Sequence, residues 1–415
     1  MPRFALRRAC LVFLLGSTPS LLPSQTPEER VWVSAWTAPP DSEGPPLKAQ
    51  TIRQILRPSI GGSSLRIRLS NLFGKAPLTL GPVHVAVHAT GSAIQPGSDL
   101  AMTFGGKTTL TIPMGGSALS DPVPMKVVAL QELAVSLNLP SDVPASTIHG
   151  FGNRTASFFP GADATAAVAF PAGSTDDSRY FLTDVDVAAG PGAMAVVAFG
   201  DSITDGVGSR LDGYGRWPDA LAAKLQNDPA MASISVVNAG IAGNRILNDG
   251  VDPFVGPSGL ARLDRDALDK PGARWILLLA GSNDISASDM LPLPKDQVSA
   301  PQIIEGMKRL IARAHARGLK VMGATLLPKA GVGKPFKHTE AGAAKRVALN
   351  AWIRHSGAFD AIVDFEQAMR DPARPDRLLP AYDSGDHLHP NEDGYQAMAA
   401  LVHLRLFAGR PPVRP

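Results

Sequence analysis

Between residues 31 and 188, apolar and polar positions alternate in short runs. Residues 65–70 read LRIRLS, 109–112 read TLTI, and the run LAVSLNL puts Leu133, Val135, Leu137 and Leu139 on one face of an extended chain. A period of two marks strands, and the pairs Gly61-Gly62, Gly105-Gly106 and Gly115-Gly116 punctuate them as turns. This spacing predicts an antiparallel, jelly-roll-like β-sandwich over 31–188. From residue 193 the pattern changes. Nearly continuous apolar runs at 193–199, 234–239, 275–280, 319–326 and 361–365 alternate with helix-period stretches at 217–226, 259–268, 301–316, 339–354 and 391–407. Apolar strands separated by helices predict an α/β domain over 193–410: a doubly wound, flavodoxin-like parallel sheet with its functional loops at the carboxyl ends of the strands. The segment AAGPGAM, 188–194, where Gly and Pro cluster, is the expected boundary.

The amino-terminal segment alters the charge argument. Arg3, Arg7 and Arg8 precede the apolar run ACLVFLLG, and small and polar residues follow it. Residues 1–24 therefore read as a secretory signal, cleaved between about residues 20 and 25 and too short for a stable membrane anchor. The expected location is secreted or periplasmic. Its removal takes away three arginines and no acid, which brings the formal net charge from +3 to zero. Charge then gives no reason to expect nucleic acid or an anionic membrane as partner. The single cysteine, Cys10, lies in this segment, so neither a disulfide framework nor a cysteine zinc site is expected in the remainder.

Candidate chemistry falls on the carboxyl ends of the apolar runs. VVAFGDSITDGVGS, 196–209, ends its strand and bends at Gly200-Asp201-Ser202. Alone, such a bend is a helix cap; as a nucleophile, Ser202 requires a base and a group to orient that base. DSGDHLHPNEDGY, 383–395, offers both, because Asp386 and His389 stand three apart in a loop, where the carboxylate can hold one imidazole nitrogen while the other faces the serine. NAGIAGN, 238–244, supplies Gly243, which lets backbone approach a substrate, and LAGSND, 279–284, supplies the Asn283 amide as an oxyanion donor. Competing readings make Gly243 a tight turn, Asn283 a turn residue, and Asp386, His387 and His389 part of a metal site. Arg245 is a candidate for binding a substrate carboxylate or hydroxyl, against a loop salt bridge, and Tyr214 for lining the mouth, against packing. No metal or organic cofactor is required by this chemistry.

FGDSITDG (199–206), NAGIAGN, GSND (281–284) and DHLHPN (386–391) together make the chain resemble the SGNH or GDSL hydrolases. The resemblance implies Ser202 as nucleophile, Asp386 and His389 completing a triad, and an oxyanion hole of the Ser202 and Gly243 backbone N–H groups with the Asn283 side chain. WVSAW (32–36), TIRQILRPSIGG (51–62), LRIRLSNLFG (65–74) and GSRLDGYGRWPDALAAKL (208–225) are similar to the larger secreted members that carry a leading β domain. The expected function is a secreted serine esterase working through an acyl-enzyme on short acyl, chiefly acetyl, esters of small molecules or polysaccharides. Two other functions compete: a lipase or lysophospholipase acting on longer acyl chains, and a glycan-binding protein without catalysis. Oligomeric state is not legible in the chain.

Overall fold

The computed structural model describes Met1 and residues 30–407; apart from Met1, the expected signal segment lies outside the described residues. The amino-terminal part is an antiparallel β-rich domain. One sheet has the strand order Val31–Thr37, Leu182–Ala189, Leu65–Ser70, Ser117–Leu119. The other has the order Ser174–Asp176, Ala156–Pro160, Gln50–Leu56, Leu133–Leu139, Val83–Val87, Leu100–Met102. Alternation sets the inner faces: Leu65, Ile67 and Leu69 of one sheet are buried in the same cluster as Ile52, Leu56, Val135 and Leu137 of the other. Both faces of Leu133–Leu139 are covered, because Ala134 packs on the far side with Ile55, Ala86 and Ile94.

The carboxyl-terminal part is a five-stranded parallel sheet. Its strands in chain order are Met194–Gly200, Ile234–Gly240, Ala273–Leu279, Lys320–Ala324 and Ala361–Val363, and their spatial order is second, first, third, fourth, fifth. The first strand thus stands at the point where the winding reverses, where open parallel sheets carry their binding crevice. Gly200 pairs with Gly240 on one side and Leu279 on the other, so the loops after the first three strands leave the sheet at one level. Gly240 is required there: a Cβ would lie 2.3 Å from the backbone nitrogen of Asp205, in the helix that follows the first strand.

The helices Trp217–Gln226, Ala300–Ala316 and Glu340–His355 lie where their periodicity predicts, and a capping box of Ser299 and Gln302 opens the second of them. Elsewhere the elements differ. The stretch 259–268 is an α-helix only over Gly259–Leu263 and continues as a π-turn, Asp264–Leu268. The last helix is Glu392–Leu401, and Leu404–Phe407 is a separate 3-10 turn rather than its continuation. Phe365 opens a short helix, Phe365–Met369, capped by Asp364, instead of ending the fifth strand. Ser282–Met290, expected only as a strand-end loop, is a helix whose sequence SNDISASDM carries no apolar stripe because the consecutive residues 283–288, on every side of the helix, are all buried.

Candidate active site

Ser202 opens the four-residue helix Ser202–Asp205, two residues beyond the first strand. Asp201 caps that helix, its carboxylate accepting from the Ile203 N–H at 3.2 Å. Burial is the larger influence on Asp201 and pushes its carboxyl up to about 6 against that bond. The serine Oγ lies 2.9 Å from His389 Nε2, and His389 Nδ1 lies 2.5 Å from Asp386 Oδ2. Because a carboxylate accepts, Nδ1 carries the hydrogen, Nε2 is left as acceptor, and the serine O–H donates to it.

The local chain explains why three residues separate the acid and the imidazole. Asp386 Oδ1 accepts from the backbone N–H groups of Leu388 and His389, each at 2.8 Å, so the carboxylate is the hub of its own turn. Burial works against the Asp386 charge, but the His389 hydrogen bonds, the attraction of the His389 ring when it is protonated and the Leu388 N–H outweigh it and hold the group well below the usual carboxylate range.

Gly243 sits at φ +74°, and a Cβ there would come within 3.1 Å of the Pro253 carbonyl oxygen and 3.2 Å of the Phe254 Cα. Its loop is anchored from the third strand's helix. Asp284 accepts from the Ile246 N–H at 2.8 Å and the Leu247 N–H at 3.0 Å, and Asn283 donates from Nδ2 to the Asn244 carbonyl at 3.1 Å. One amide hydrogen of Asn283 is so occupied, which leaves the second to donate elsewhere. Burial pushes the Asp284 carboxyl up to about 6 despite its two N–H partners. Asn244 braces the same loop, accepting from Arg262 Nε at 3.0 Å and donating to Pro257 O at 2.8 Å.

Two sequence candidates are engaged in other contacts. Arg245 is buried, pairs through Nη1 with Asp296 Oδ1 at 2.6 Å and donates to the Asp249 carbonyl; it is the loop salt bridge and presents no guanidinium to a substrate. Tyr214 donates to Glu132 Oε1 at 2.7 Å, and the guanidinium groups of Arg57 and Arg154 lie 3.5 Å and 4.5 Å from its ring centre. It packs between the domains and is not among the residues lining the cavity beside His389. That cavity, of about 300 Å³, is bounded by Gly331–Phe336 and Gly385–His389. His387, at φ 61°, lines it and bonds Asp383 through Nδ1 at 2.6 Å. Among the described residues no group of three or more His, Cys, Asp or Glu side chains is arranged to hold a metal ion, and no helix is long and apolar enough to cross a membrane.

Asp284 and Asn244 brace the Gly243 loop and His149 reaches Asp205 in the Ser202 helix, contacts to which the sequence reading gave no role. The first two stand inside the quoted blocks, next to Asn283 and Gly243, and that adjacency was the available signal. His149 contacts Asp205, 56 positions away, and no sequence pattern marks such a contact.

Residues 198–397 match the GDSL-like Lipase/Acylhydrolase family. Comparison with curated proteins finds no match. Among solved structures, the chain is similar to a GDSL-like lipase from Bacteroides thetaiotaomicron, with 21% identity over 50% of this chain and 84% of that one and a TM-score of 0.36. It is similar to the M. smegmatis aryl esterase, with 18% identity over 50% and 95% and a TM-score of 0.39. A carbohydrate acetylesterase from Sinorhizobium meliloti shows 18% identity over 50% and 94%, with a TM-score of 0.37.

Proposed function

Residues 198–397 belong to the GDSL-like lipase/acylhydrolase family and make the protein a carboxylic ester hydrolase, and from that premise we propose that Ser202, His389 and Asp386 carry the reaction. The observation that supports this most is His389 bridging the Ser202 hydroxyl at 2.9 Å and the Asp386 carboxylate at 2.5 Å. His389 Nε2 takes the Ser202 proton as Oγ attacks the ester carbonyl. The developing oxyanion is held by the Ser202 and Gly243 backbone N–H groups and the free hydrogen of the Asn283 amide. The imidazolium then gives its proton to the leaving alcohol, and the acyl group stays on Ser202. Water, deprotonated by the same nitrogen, attacks the acyl carbonyl and releases the acid and the serine.

The substrate is proposed to be a short acyl ester of a hydroxylated alcohol such as a glycoside or polysaccharide, met outside the cytoplasm after export by the segment 1–24. The cavity beside His389 supports the first part. It sets the polar side chains of Lys334 and His387 beside the apolar Val332, Pro335, Phe336 and Leu388, a lining that suits a hydroxylated alcohol next to a small acyl group. Release of nitrophenol from acetyl, butyryl and octanoyl esters, wild type beside Ser202→Ala, tests the proposal. Serine-dependent turnover that falls with chain length, together with acetate release from acetylated xylan, is the expected result. Turnover rising with length, with cleavage of lysophospholipid, overturns the short-acyl assignment, and full activity of Ser202→Ala overturns the nucleophile.

A further inference from the structure

One buried side chain of the amino-terminal domain reaches the helix that begins with Ser202. His149 ends the strand Ser146–His149, which pairs with Ser42–Gly44 and Arg179–Tyr180 rather than with either large sheet. It is 4% exposed. Its Nδ1 lies 2.9 Å from the Pro39 carbonyl oxygen and 3.4 Å from Asp41 Oδ2, and its Nε2 lies 3.1 Å from Asp205 Oδ1. Each ring nitrogen faces oxygens that accept, so each carries a hydrogen and the ring is an imidazolium. Burial opposes that charge, but the Asp205 carboxylate, its hydrogen bond and Asp41 outweigh burial and raise the His149 pKa; Arg216, 3.8 Å from Asp205, is the opposing cation.

Asp205 connects this imidazolium to the site. Its Oδ2 accepts from the backbone N–H of Ala242 at 2.9 Å, the residue before Gly243, while Asp205 itself is the last residue of the helix Ser202–Asp205. One carboxylate therefore joins the two backbone segments that carry the Ser202 and Gly243 N–H groups. Within the sheet domain those segments are also tied by Asn238 Nδ2 donating to the Thr204 carbonyl at 2.8 Å and by the Ile241 N–H donating to the Gly200 carbonyl at 3.2 Å. Of these ties among the described residues, the Asp205 connection is the one held from the other domain.

We infer that His149 is a positioning residue for ester hydrolysis: through Asp205 it fixes the spacing of the Ser202 helix and the Gly243 loop, so that the amino-terminal domain completes the reaction site. The inference rests on the roles proposed for Ser202 and Gly243. Its energetic basis is placement, because donors displaced by a fraction of an ångström from the oxyanion lose much of their effect on the transition state while substrate binding is largely kept. A histidine that merely packed the seam would add stability alone.

The full-length chain provides the test. His149→Leu removes both donors; His149→Gln keeps an N–H near the position of Nε2; His149→Asn reaches only the Pro39 side. Turnover of nitrophenyl acetate is measured per active site, counted by stoichiometric phosphonylation of Ser202, with Tm followed by circular dichroism. His149→Leu is expected to lower kcat about 10- to 100-fold per labelled site with KM within about twofold, and His149→Gln to restore most of it. Wild-type kcat per labelled site, whatever the Tm, overturns the inference. If the leucine variant does not fold, the comparison of Gln with Asn decides: Gln must exceed Asn in kcat, and equal values overturn it. Ser202→Ala, run alongside, separates the two proposals. An inactive Ser202→Ala with a fully active His149→Leu sinks the positioning role alone, whereas an active Ser202→Ala removes the reading on which it stands.

Discussion

At the scale of single residues, the site depends on which atoms must accept and which must donate. Asp386 is used on both oxygens: Oδ2 fixes the His389 tautomer, and Oδ1 closes the turn through Leu388 and His389. Asp386→Asn keeps the volume but can turn an N–H toward Nδ1, which favours the tautomer with its hydrogen on Nε2, where Ser202 needs an acceptor. A fall in kcat of about 10³- to 10⁴-fold is expected for acyl transfer with the wrong tautomer, while Ser202→Ala falls further, by about 10⁶-fold. Steady-state rates check both, per titrated active site for Asp386→Asn and per mole of folded protein for Ser202→Ala. The carboxylate also sets a sign for stability against pH. Its folded-state pKa is depressed, so its contribution is complete above the ordinary carboxylate range and is lost as pH falls through that range toward the lower folded value. The Tm advantage of wild type over Asp386→Asn should therefore narrow as the buffer moves from neutral toward pH 3, and a gap that widens in acid would contradict the assignment.

At the scale of elements, the site is three loops of equal height kept in register by a buried carboxylate. Asp284 lies in Ser282–Met290 and holds the Ile246 and Leu247 N–H groups of the loop after the second strand. Asp284→Ala orphans both donors, a loss of about 2–6 kcal/mol if each buried N–H left unpaired costs about 1–3. Because burial raises the Asp284 carboxyl to about 6, its charge is a liability once ionised: its contribution is fullest below the unfolded value and declines as pH rises toward 6. The penalty of Asp284→Ala should accordingly be larger at pH 4 than at pH 7.5 in paired urea titrations; a penalty that grows toward neutral pH would reverse the sign argued here. This element also shows what was legible in the chain. Helices with an apolar stripe, such as Ala300–Ala316, and the continuous apolar strands stand out in the sequence because their periods record which face is buried. Ser282–Met290 does not, since a short helix buried all round has no period. Ser202, Gly243, Asn283, Asp386 and His389 were legible because each sits in a local block at a strand end. Arg245 and Tyr214 stay open between two readings in the sequence, because a charge or an aromatic beside such a block looks alike whether it faces substrate, Asp296 or Glu132.

At the scale of the whole molecule, the two cores meet along a seam built from two kinds of contact with different consequences. One kind lies far from the serine. Lys270, after the π-turn of the sheet domain, donates to Asp184 of the strand Leu182–Ala189 and to Thr37 Oγ1 at 3.1 Å, and all three side chains are buried. Beside it the Ser34 N–H donates to the Pro271 carbonyl at 2.8 Å, and Ser59 and Ser235 share a hydrogen bond of 2.8 Å. The other kind is the His149 connection beneath the Ser202 helix. Their effects should separate. Lys270→Met leaves the Asp184 charge buried, with Arg68 3.9 Å away as a weaker ion-pair partner, and a broken buried pair of this kind costs about 3–5 kcal/mol. With Asp184→Leu added, no charge is left stranded, and most of that stability should return. None of these residues touches the triad, so kcat per labelled active site should hold at the wild-type value in both variants while Tm falls in the first and recovers in the second. Thermal scans beside active-site-titrated rates read the two quantities from one preparation. A Tm unmoved by Lys270→Met would show that the pair adds nothing to the seam. A kcat that falls with Tm would mean that any loosening of the seam reaches the site, and that the pathway through Asp205 is not specific to His149.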